Sequence, residues 1–415
     1  MNAATTTRYL HALAHTGGSP ELLPARRMAL ARFLAHGLPT TREEDWKYTS
    51  LDYPERAEWH TPKGAVAAPA GEVRAENYPG ITLHLNNGRF AAPHAHSLAA
   101  HADSPLAARY LGQLARSASL AQINSALWQD GLWLHVPAGQ RTLPLFVIHN
   151  TSETDAMLHL RHLLILEANA EAVLIEHYRS LPDIPYWNNL VTEIVLGAGA
   201  RLTHIVLTEE SATATHTGQT VVQQARDSRY HAVSVNLGGR LLRHDTWINL
   251  NEAGAECQLD GLFIADARRH IDQHLHVEHA APHTASRQTW RGIAAGRGRG
   301  IFDSRVVVQA GALKADAQQS SRNLLLSPHA EIDVKPQLEI YADDVKCSHG
   351  ATVGQLDEAE IFYLRSRGIN AATARALLLR GFADEALGLL KNTGLADWLE
   401  PHITAALPQQ SEHAT

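Results

Sequence analysis

The chain has 415 residues, of which 45% are hydrophobic and 19% are charged. This balance is typical of a folded protein with a substantial core, and the length suffices for two or three domains. The net charge of −7 argues against a nucleic-acid-binding protein, which needs a basic surface to contact the phosphate backbone. Two cysteines exclude a disulfide framework, and no run of about 18 apolar residues predicts a membrane span. With no signal-peptide pattern at the N-terminus, we expect a cytoplasmic protein.

The first part of the chain, residues 1–130, predicts a helical and partly irregular domain. Apolar residues recur at helical spacing within about 21–50, and Gly37 helps to end that pattern. The stretch from about residue 50 to about residue 100 is rich in Pro, Ala and Gly and has one short alternating run at 81–85, so we expect irregular or weakly paired structure. Helical spacing returns over about 105–128.

A repeat of 26 to 29 residues runs through the next part, residues 131–354. Turns of small residues alternate with strand-like runs, and they are Ala168-Asn169-Ala170, Gly197-Ala198-Gly199, Arg226-Asp227-Ser228 and Glu252-Ala253-Gly254. Such a period is typical of a β-solenoid, in which each coil contains two or three short strands. The alternative is an antiparallel sandwich, whose hairpins recur about every 8–12 residues and give a similar pattern when counted in pairs.

The last part, residues 355–415, predicts a small helical domain. Asp357 can cap a helix whose third residue is Glu360, an arrangement known as a capping box, and Gly368 ends this helix. Three further helical patterns follow, which are Ala371–Arg380 ended by Gly381, Ala383–Lys391, and Leu395–Leu407 with a break at Pro401. Short helices with exposed apolar residues suggest a docking surface, and the alternative is a cap on the last solenoid coil.

No nucleotide-binding motif is present. None of the lysines follows a glycine, so the chain lacks a P-loop. The glycine series AAGRGRG, over 294–300, joins two predicted strands, whereas a dinucleotide-binding fingerprint joins a strand to a helix. We therefore predict that this series is a tight turn.

Histidine is frequent, with 26 in the chain. In the run HIDQHLHVEHAAPH, His270, His274 and His276 lie in phase on one face of a strand, and His279 lies on the other. Three such imidazoles could bind zinc, iron or copper. The alternative is a row of stacked polar residues, because metal sites generally take ligands from separate elements with an oriented outer shell. Cys257 lies in a run of alternating apolar and polar residues, and this pattern predicts that its thiol is buried and inert.

Candidate chemistry concentrates at Cys347 and His349, just after Asp343 and Asp344. On an extended strand, residues i and i+2 face the same side, so this thiol and imidazole could share one ligand. Lys346 and His349 could favour the thiolate, whereas the two aspartates oppose it. A nucleophilic enzyme would also need an oxyanion site, and no pattern marks one.

Three segments of the chain together carry a resemblance to a known family. The run SRNLLLSPHAEIDVKPQLEIYADDVKCSHGATVGQLDEAEIFYLRSRGI, over 321–369, resembles the C-terminal signature of the SufB/SufD family of iron–sulfur cluster assembly proteins. The motif EDWKYT, over 44–49, resembles a motif of the SufD branch, and DQHLHVEHA lies between the two. The SufB branch usually carries more cysteines, so the two cysteines here favour the SufD branch.

The resemblance implies a mainly β protein, with a right-handed parallel β-helix core between N-terminal and C-terminal α-helical domains. It also implies two partners. A SufB-like paralogue would join this chain edge to edge through the β-helices, and a SufC-like ABC ATPase would dock on the C-terminal helices. The ATPase would supply the nucleotide site that this sequence lacks, so the chain would be a non-catalytic scaffold subunit. On its own, the chain could form a homodimer.

Carried over residue by residue, the resemblance assigns Cys347 and His349 to the interface with the SufB-like chain, at a nascent iron–sulfur cluster. Two donors cannot complete a four-ligand site, so the cluster would be transient and shared with the partner. A reduced flavin is associated with complexes of this family, but no motif here identifies a flavin site. The residues expected to dock a partner are Phe362, Tyr363, Leu364, Arg365, Arg367 and Gly368.

Two other functions stay open. One is a stand-alone β-helix enzyme with acidic catalytic residues or a histidine-bound metal, although an aromatic content of 6% argues against a polysaccharide substrate. The other is a purely structural SufD-like subunit, in which Cys347 and His349 only pack an interface.

Overall fold

A computed structural model describes residues 3–16, 20–63, 80–91, 94–116, 119–390 and 393–408. Within these ranges, a long series of strands winds into a solenoid. The strands are β1 Ile81–Asn86, β2 Arg89–Phe90, β3 Trp133–Val136, β4 Leu145–Thr151, β5 Ala156–Leu166, β6 Glu171–Ser180, β7 Tyr186–Leu196, β8 Arg201–Glu209, β9 Thr215–Gln224, β10 Arg229–Asn236, β11 Leu241–Leu250, β12 Glu256–Ala265, β13 His270–His279, β14 Ala285–Ala294, β15 Arg299–Val308, β16 Asp316–Leu325, β17 Glu331–Ile340 and β18 Lys346–Gly354.

Helices precede β1, lie between β2 and β3, and follow β18. They are α1 Ala3–Ala14, α2 Leu23–His36, α3 Asp52–Arg56, α4 Leu98–His101, α5 Pro105–Tyr110, α6 Ser119–Leu127, α7 Glu358–Ser366, α8 Ala371–Asp384 and α9 Leu395–Ala406, with 3-10 helices at Pro20–Leu22, Glu44–Trp46 and Glu385–Leu390. None of the helices in the described ranges is both long and apolar enough to cross a lipid bilayer.

The strands form two sheets, and each coil contributes one strand to each. The even-numbered strands from β4 to β18, extended by β1 and β2, form the "even sheet", and the odd-numbered strands from β3 to β17 form the "odd sheet". Strands of successive coils pair in parallel, whereas β1 and β2 pair antiparallel. The parallel pairing confirms the predicted β-solenoid and excludes the antiparallel sandwich.

The repeat seen in the sequence is the length of one coil. Glu171 pairs with Arg201, Arg229 pairs with Glu256 and Ala285 pairs with Asp316, which are spacings of 30, 27 and 31 residues.

The predicted turns form one stacked corner of the solenoid. Asn169, Gly199, Asp227 and Gly254 each adopt a positive φ, a conformation that Gly, Asn and Asp tolerate best. Backbone hydrogen bonds join one corner to the next, from the Asn169 N–H to the Ala198 carbonyl and from the Gly199 N–H to the Arg226 carbonyl, both 2.8 Å. The small residues therefore recur because the same tight corner is built once per coil.

Helices cover the outer faces of both sheets. The outward face of the even sheet, with Ile175, Ile205 and Val235, packs against Leu399 and Ile403 of α9 and against α8. The N-terminal helices α1, α2 and α6 pack against the odd sheet around Trp187 and Leu241. The expectation of helices at both ends of a mainly β core is therefore confirmed. The domain limits at 130/131 and 354/355 stay predictions, and β1 already belongs to the even sheet.

Two predicted helix ends are wrong. Helix α8 continues through Gly381 to Asp384, and α9 continues through Pro401. Leu399 and Ile403, on either side of Pro401, are fully buried, so packing on the even sheet outweighs the cost of a proline in a helix. The predicted helix over 383–391 is divided between the end of α8 and the following 3-10 helix, and Lys391 lies outside the described residues.

Candidate functional site at the last coil

Cys347 and His349 lie on β18, the last strand of the even sheet. Cys347 pairs with Ala317 of β16, and His349 pairs with Gln319. Both partners on β16 are buried inside the solenoid, so the side chains of Cys347 and His349 face the interior side of the sheet. The structure therefore places the thiol and the imidazole on one face.

The last coil, formed by β17 and β18, leaves this face uncovered. In the described part of the chain, β18 pairs only with β16, and β17 pairs only with β15. Cys347 is half-buried against the interior apolar cluster, whereas His349 is exposed. The equivalent side chains of the preceding strand, Ala317 and Gln319, are buried, and β18 is the strand that pairs beside them.

Burial raises the pKa of the Cys347 thiol, a contact with the Ala317 backbone partly offsets this effect, and nearby Asp316 adds to the rise. The sequence leaves open whether Lys346 and His349 or the two aspartates determine the state of this thiol, and in the isolated chain burial outweighs them. At neutral pH the group is a thiol, so a metal ion would have to displace its proton.

Both strands of the last coil are long, unpaired edges with apolar side chains. Ile340 and Tyr341, at the end of β17, are 43% and 61% exposed, and Val353 of β18 is 44% exposed. A long edge strand presents unpaired N–H and C=O groups that can pair with another chain, and native proteins usually cover or shorten such edges. This end of the solenoid is therefore suited to β-sheet extension by a second chain.

The predicted docking residues lie on and after α7. The Asp357 side chain caps this helix, accepting a hydrogen bond of 2.7 Å from the Ala359 N–H, and Gly368 ends it with a φ of +86°. Phe362 and Tyr363 are 72% and 57% exposed. Leu364 is half-buried, and Arg365, Arg367 and Gly368 are exposed.

The histidines of β13 do not gather around a single point. His270, His274 and His276 share the outer face of the odd sheet, as predicted, but His274 Nε2 lies 2.9 Å from Asp272, and His276 packs on Trp247 with ring centroids 4.3 Å apart. Among the described residues, no set of three donors close enough for one ion includes them. They are stacked polar residues, as the alternative interpretation held.

Two segments that carry the family resemblance contact one another on this face. Thr49, at the end of the EDWKYT motif, donates a hydrogen bond of 2.5 Å to Asp272. Arg243 Nη1 donates to the same carboxylate at 2.8 Å and to the Asp45 carbonyl at 2.7 Å, and its guanidinium lies 4.0 Å from the centre of the Trp46 ring. The N-terminal motif therefore fastens the N-terminal segment to the odd sheet.

The interior contains a polar cluster that sequence reasoning missed. The carboxylate of Glu176 on β6 is fully buried and lies 3.0 Å from His149 Nε2, 3.2 Å from His162 Nε2 and 2.7 Å from His204 Nε2. Tyr178 donates a further hydrogen bond of 2.7 Å. Burial alone would raise the pKa of Glu176, but these histidines outweigh burial and hold the pKa well below its usual value.

The proton positions make this cluster an anion-binding arrangement and not a metal site. His162 Nδ1 accepts a hydrogen bond of 2.9 Å from the Leu132 N–H, so the ring proton must lie on Nε2, toward Glu176. A nitrogen that carries a proton cannot ligate a metal ion. Burial likewise lowers the pKa of His149, to about 4, so that ring is neutral and acts as a donor to Glu176. The other cysteine, Cys257, is buried as predicted, and burial raises the pKa of its thiol.

The fold and this site define a two-sheet parallel β-solenoid whose uncovered last coil carries an inward-facing thiol and imidazole. The family model described as "SUF system FeS cluster assembly, SufBD core domain" matches residues 147–382. The chain belongs to the SufB/SufD family of iron–sulfur cluster assembly proteins, and within that family it is most like SufD.

Curated relatives agree with this assignment. The chain is 32% identical to the iron–sulfur cluster assembly protein SufD of Escherichia coli over 98% of both chains. It is also 32% identical to a SufBD family protein of Synechocystis, over 90% of this chain and 88% of that protein. The SufD of Bacillus subtilis is 26% identical over 63% of this chain and 61% of its own length.

Proposed function

We propose that this chain is a SufD-like scaffold subunit, and that its last coil is completed by a SufB-like paralogue. The observation that carries this proposal is the exposure of β17 and β18. Their free edges, with Ile340, Tyr341 and Val353, offer backbone hydrogen bonds and apolar contacts together. A second β-helix that added its own edges would pair these groups and cover the apolar side chains.

The same contact would enclose Cys347 and His349. Both side chains lie on the interior side of the last coil, so they would face the SufB-like chain that extends the two sheets. A thiolate and an imidazole are suitable donors for an iron–sulfur cluster, but two donors leave the cluster incomplete. We therefore assign the remaining ligands to the partner. The cluster would be built transiently between the two chains.

The C-terminal helices are the surface that we assign to a SufC-like ABC ATPase. Phe362 and Tyr363 on α7 are largely exposed aromatic side chains, and aromatic residues are enriched at the centres of protein interfaces. The exposed Arg365 and Arg367 flank them and could pair with carboxylates of the ATPase. The chain itself would not hydrolyse nucleotide and would act without catalysis of its own. We place it in the cytoplasm, where two unpaired cysteines would stay reduced.

Co-purification tests this proposal. The tagged chain, produced together with the SufB-like and SufC-like proteins of the same source, should retain both through size-exclusion chromatography. The substitution Val353→Asp places a charge on the free edge of β18 and should release the SufB-like chain. The matched control is Leu143→Asp, at an exposed leucine before β4, which should not. Failure of the unchanged chain to retain either partner would contradict the proposal, and a homodimer that persists in the presence of both partners would contradict the assigned pairing.

A further inference from the structure

Three potential metal ligands from three elements meet on the outer face of the even sheet, beneath α9. Glu209 Oε2, at the end of β8, lies 2.8 Å from His177 Nε2 of β6 and 2.8 Å from His402 Nδ1 of α9. All three donor atoms lie within 4.8 Å of one another. His177 and Glu209 share the outward side of their strands with Ile175 and Leu207, so the cluster is separated by the sheet from Glu176.

We propose that His177, Glu209 and His402 form a binding site for one divalent first-row transition-metal ion, which fastens α9 to the even sheet. Two imidazoles and one carboxylate are the donor set that proteins use for Zn²⁺ and for non-haem Fe²⁺. Ligands drawn from separate elements are also typical of such sites.

The spacing of the donors is close to what an ion requires. Metal–nitrogen and metal–oxygen bonds of about 2.0–2.2 Å place neighbouring ligand atoms about 3 Å apart. Glu209 Oε2 is already 2.8 Å from each imidazole nitrogen, so small side-chain rotations admit an ion between the three groups. The side chains of Glu209 and His402 are 28% and 25% exposed, which leaves an approach for the ion and room for water ligands.

The ring proton of His177 can leave the donor atom, in contrast to that of His162 in the Glu176 cluster. The nitrogens that face Glu209 carry protons when they donate hydrogen bonds to it, so metal binding requires each proton to move to the other ring nitrogen. No described residue donates a hydrogen bond to Nδ1 of His177, whereas the Leu132 N–H occupies the corresponding position on His162. Nδ1 of His177 can therefore accept the proton.

The charge on the carboxylate favours a cation. A carboxylate oxygen supplies negative charge and the two imidazole nitrogens add further donors, so the set suits a divalent cation.

The position of the site gives it a mechanical consequence. His177 and Glu209 belong to the solenoid wall, and His402 alone belongs to the C-terminal helices. An ion bound to all three would stabilise the docked position of α9, because a ligand stabilises the conformation that binds it. The ring centroid of Trp398, on the same helix, lies 5.4 Å from that of His402 and 5.9 Å from that of His177. The fluorescence of Trp398 should therefore report on an ion bound at this site. This inference requires no partner protein and stands apart from the proposed scaffold function.

Metal titration of the full-length chain tests the site. After treatment with a chelator, the chain should bind one Co²⁺ with visible ligand-field absorption, partial quenching of tryptophan fluorescence and no thiolate-to-metal charge-transfer band. Zn²⁺ and Fe²⁺, the latter without oxygen, should displace the Co²⁺. The variants His402→Ala and Glu209→Gln should each weaken binding at least tenfold.

The matched control is His135→Ala. His135 Nε2 lies 2.9 Å from Glu167, but among the described residues this pair belongs to no set of three potential ligands, so the variant should bind Co²⁺ as the unchanged chain does. Circular dichroism of each variant establishes that it is folded, and Glu209→Gln keeps a hydrogen-bonding side chain if His402→Ala disturbs α9. Unchanged Co²⁺ binding by folded Glu209→Gln would overturn the proposal. A charge-transfer band that disappears in Cys347→Ser would also overturn it, because the ion would then lie at the last coil.

Discussion

Cys257 and Cys347, the two cysteines of the chain, stand in one inward-facing column, three coils apart. The pairs Cys257–Ser286, Ser286–Ala317 and Ala317–Cys347 connect them through successive strands of the even sheet. At about 4.8 Å per strand, their separation along the solenoid is about 14 Å. The two thiols thus occupy equivalent positions, and they differ because Cys257 has coils on both sides whereas Cys347 has a coil on one side only.

This difference predicts selective thiol labelling. In the folded isolated chain, a small alkylating reagent should modify Cys347 and leave Cys257 unmodified, because Cys257 is 3% exposed and burial raises its pKa. Mass spectrometry should find one label in the native chain and two in denaturant. If the last coil pairs with the SufB-like chain as proposed, that chain should slow the labelling of Cys347. Equal labelling of both native thiols would contradict the structure.

The Glu176 cluster should be a large contributor to stability. In Glu176→Ala, three imidazole N–H groups and the Tyr178 hydroxyl would lose their buried acceptor, and we expect the free energy of unfolding to fall by about 3–5 kcal/mol. The control Glu167→Ala removes a carboxylate that is 42% exposed, so it should lower the free energy of unfolding far less. Denaturant unfolding measures both, and similar losses in the two variants would contradict this interpretation of the interior.

Buried neutral histidines should make the chain sensitive to acid. Burial lowers the pKa of His159 to about 3, whereas the unfolded chain has the ordinary value of about 6.5. Between these values the unfolded state binds the proton and the folded state does not, so stability falls as the pH falls from about 6.5 to about 3.

In His159→Gln, the loss of stability between pH 7 and pH 5 should therefore be smaller than in the unchanged chain by about 2 kcal/mol. The exposed residue His329 provides the control His329→Gln, which should keep the original pH dependence. An identical pH dependence in all three proteins, measured by urea unfolding, would exclude a contribution from His159.

Gly381, where we had expected a helix end, lies inside α8 in an exposed position, and an added Cβ would meet no atom within 4 Å. Gly381→Ala should therefore raise the free energy of unfolding by about 0.5–1 kcal/mol, because alanine loses less backbone entropy in a helix. Gly368→Ala should instead destabilise the chain by about 1 kcal/mol, since its φ of +86° is unfavourable for a residue with a Cβ. Thermal unfolding of the two variants should show shifts of opposite sign.

The solenoid was predictable because its corners repeat a local requirement. Asn169, Gly199, Asp227 and Gly254 each provide a positive φ, and that requirement appears in the sequence at the period of the coil. The pair Cys347 and His349 could likewise be placed on one face from strand geometry alone.

The clusters around Glu176 and Glu209 could not be predicted in this way. Glu176 and His177 are adjacent in the sequence and yet face opposite sides of the sheet, and their partners lie up to 225 residues away, at His402. The continuation of α9 through Pro401 could not be predicted for a similar reason. Leu399 and Ile403 pack against strands that are far away in the sequence.

The most direct test of the proposed shared site is cluster assembly by the proposed complex of this chain with the SufB-like and SufC-like proteins, carrying His349→Ala. His349 is exposed in the isolated chain, so the substitution should leave the fold and the association of the complex unchanged. We predict that the amount of iron–sulfur cluster formed, followed by its visible absorption and by iron and sulfide content, falls at least tenfold, whereas His329→Ala has no effect. Cluster formation at the unchanged rate and yield by an intact His349→Ala complex would contradict the account and would reduce Cys347 and His349 to packing residues of the interface.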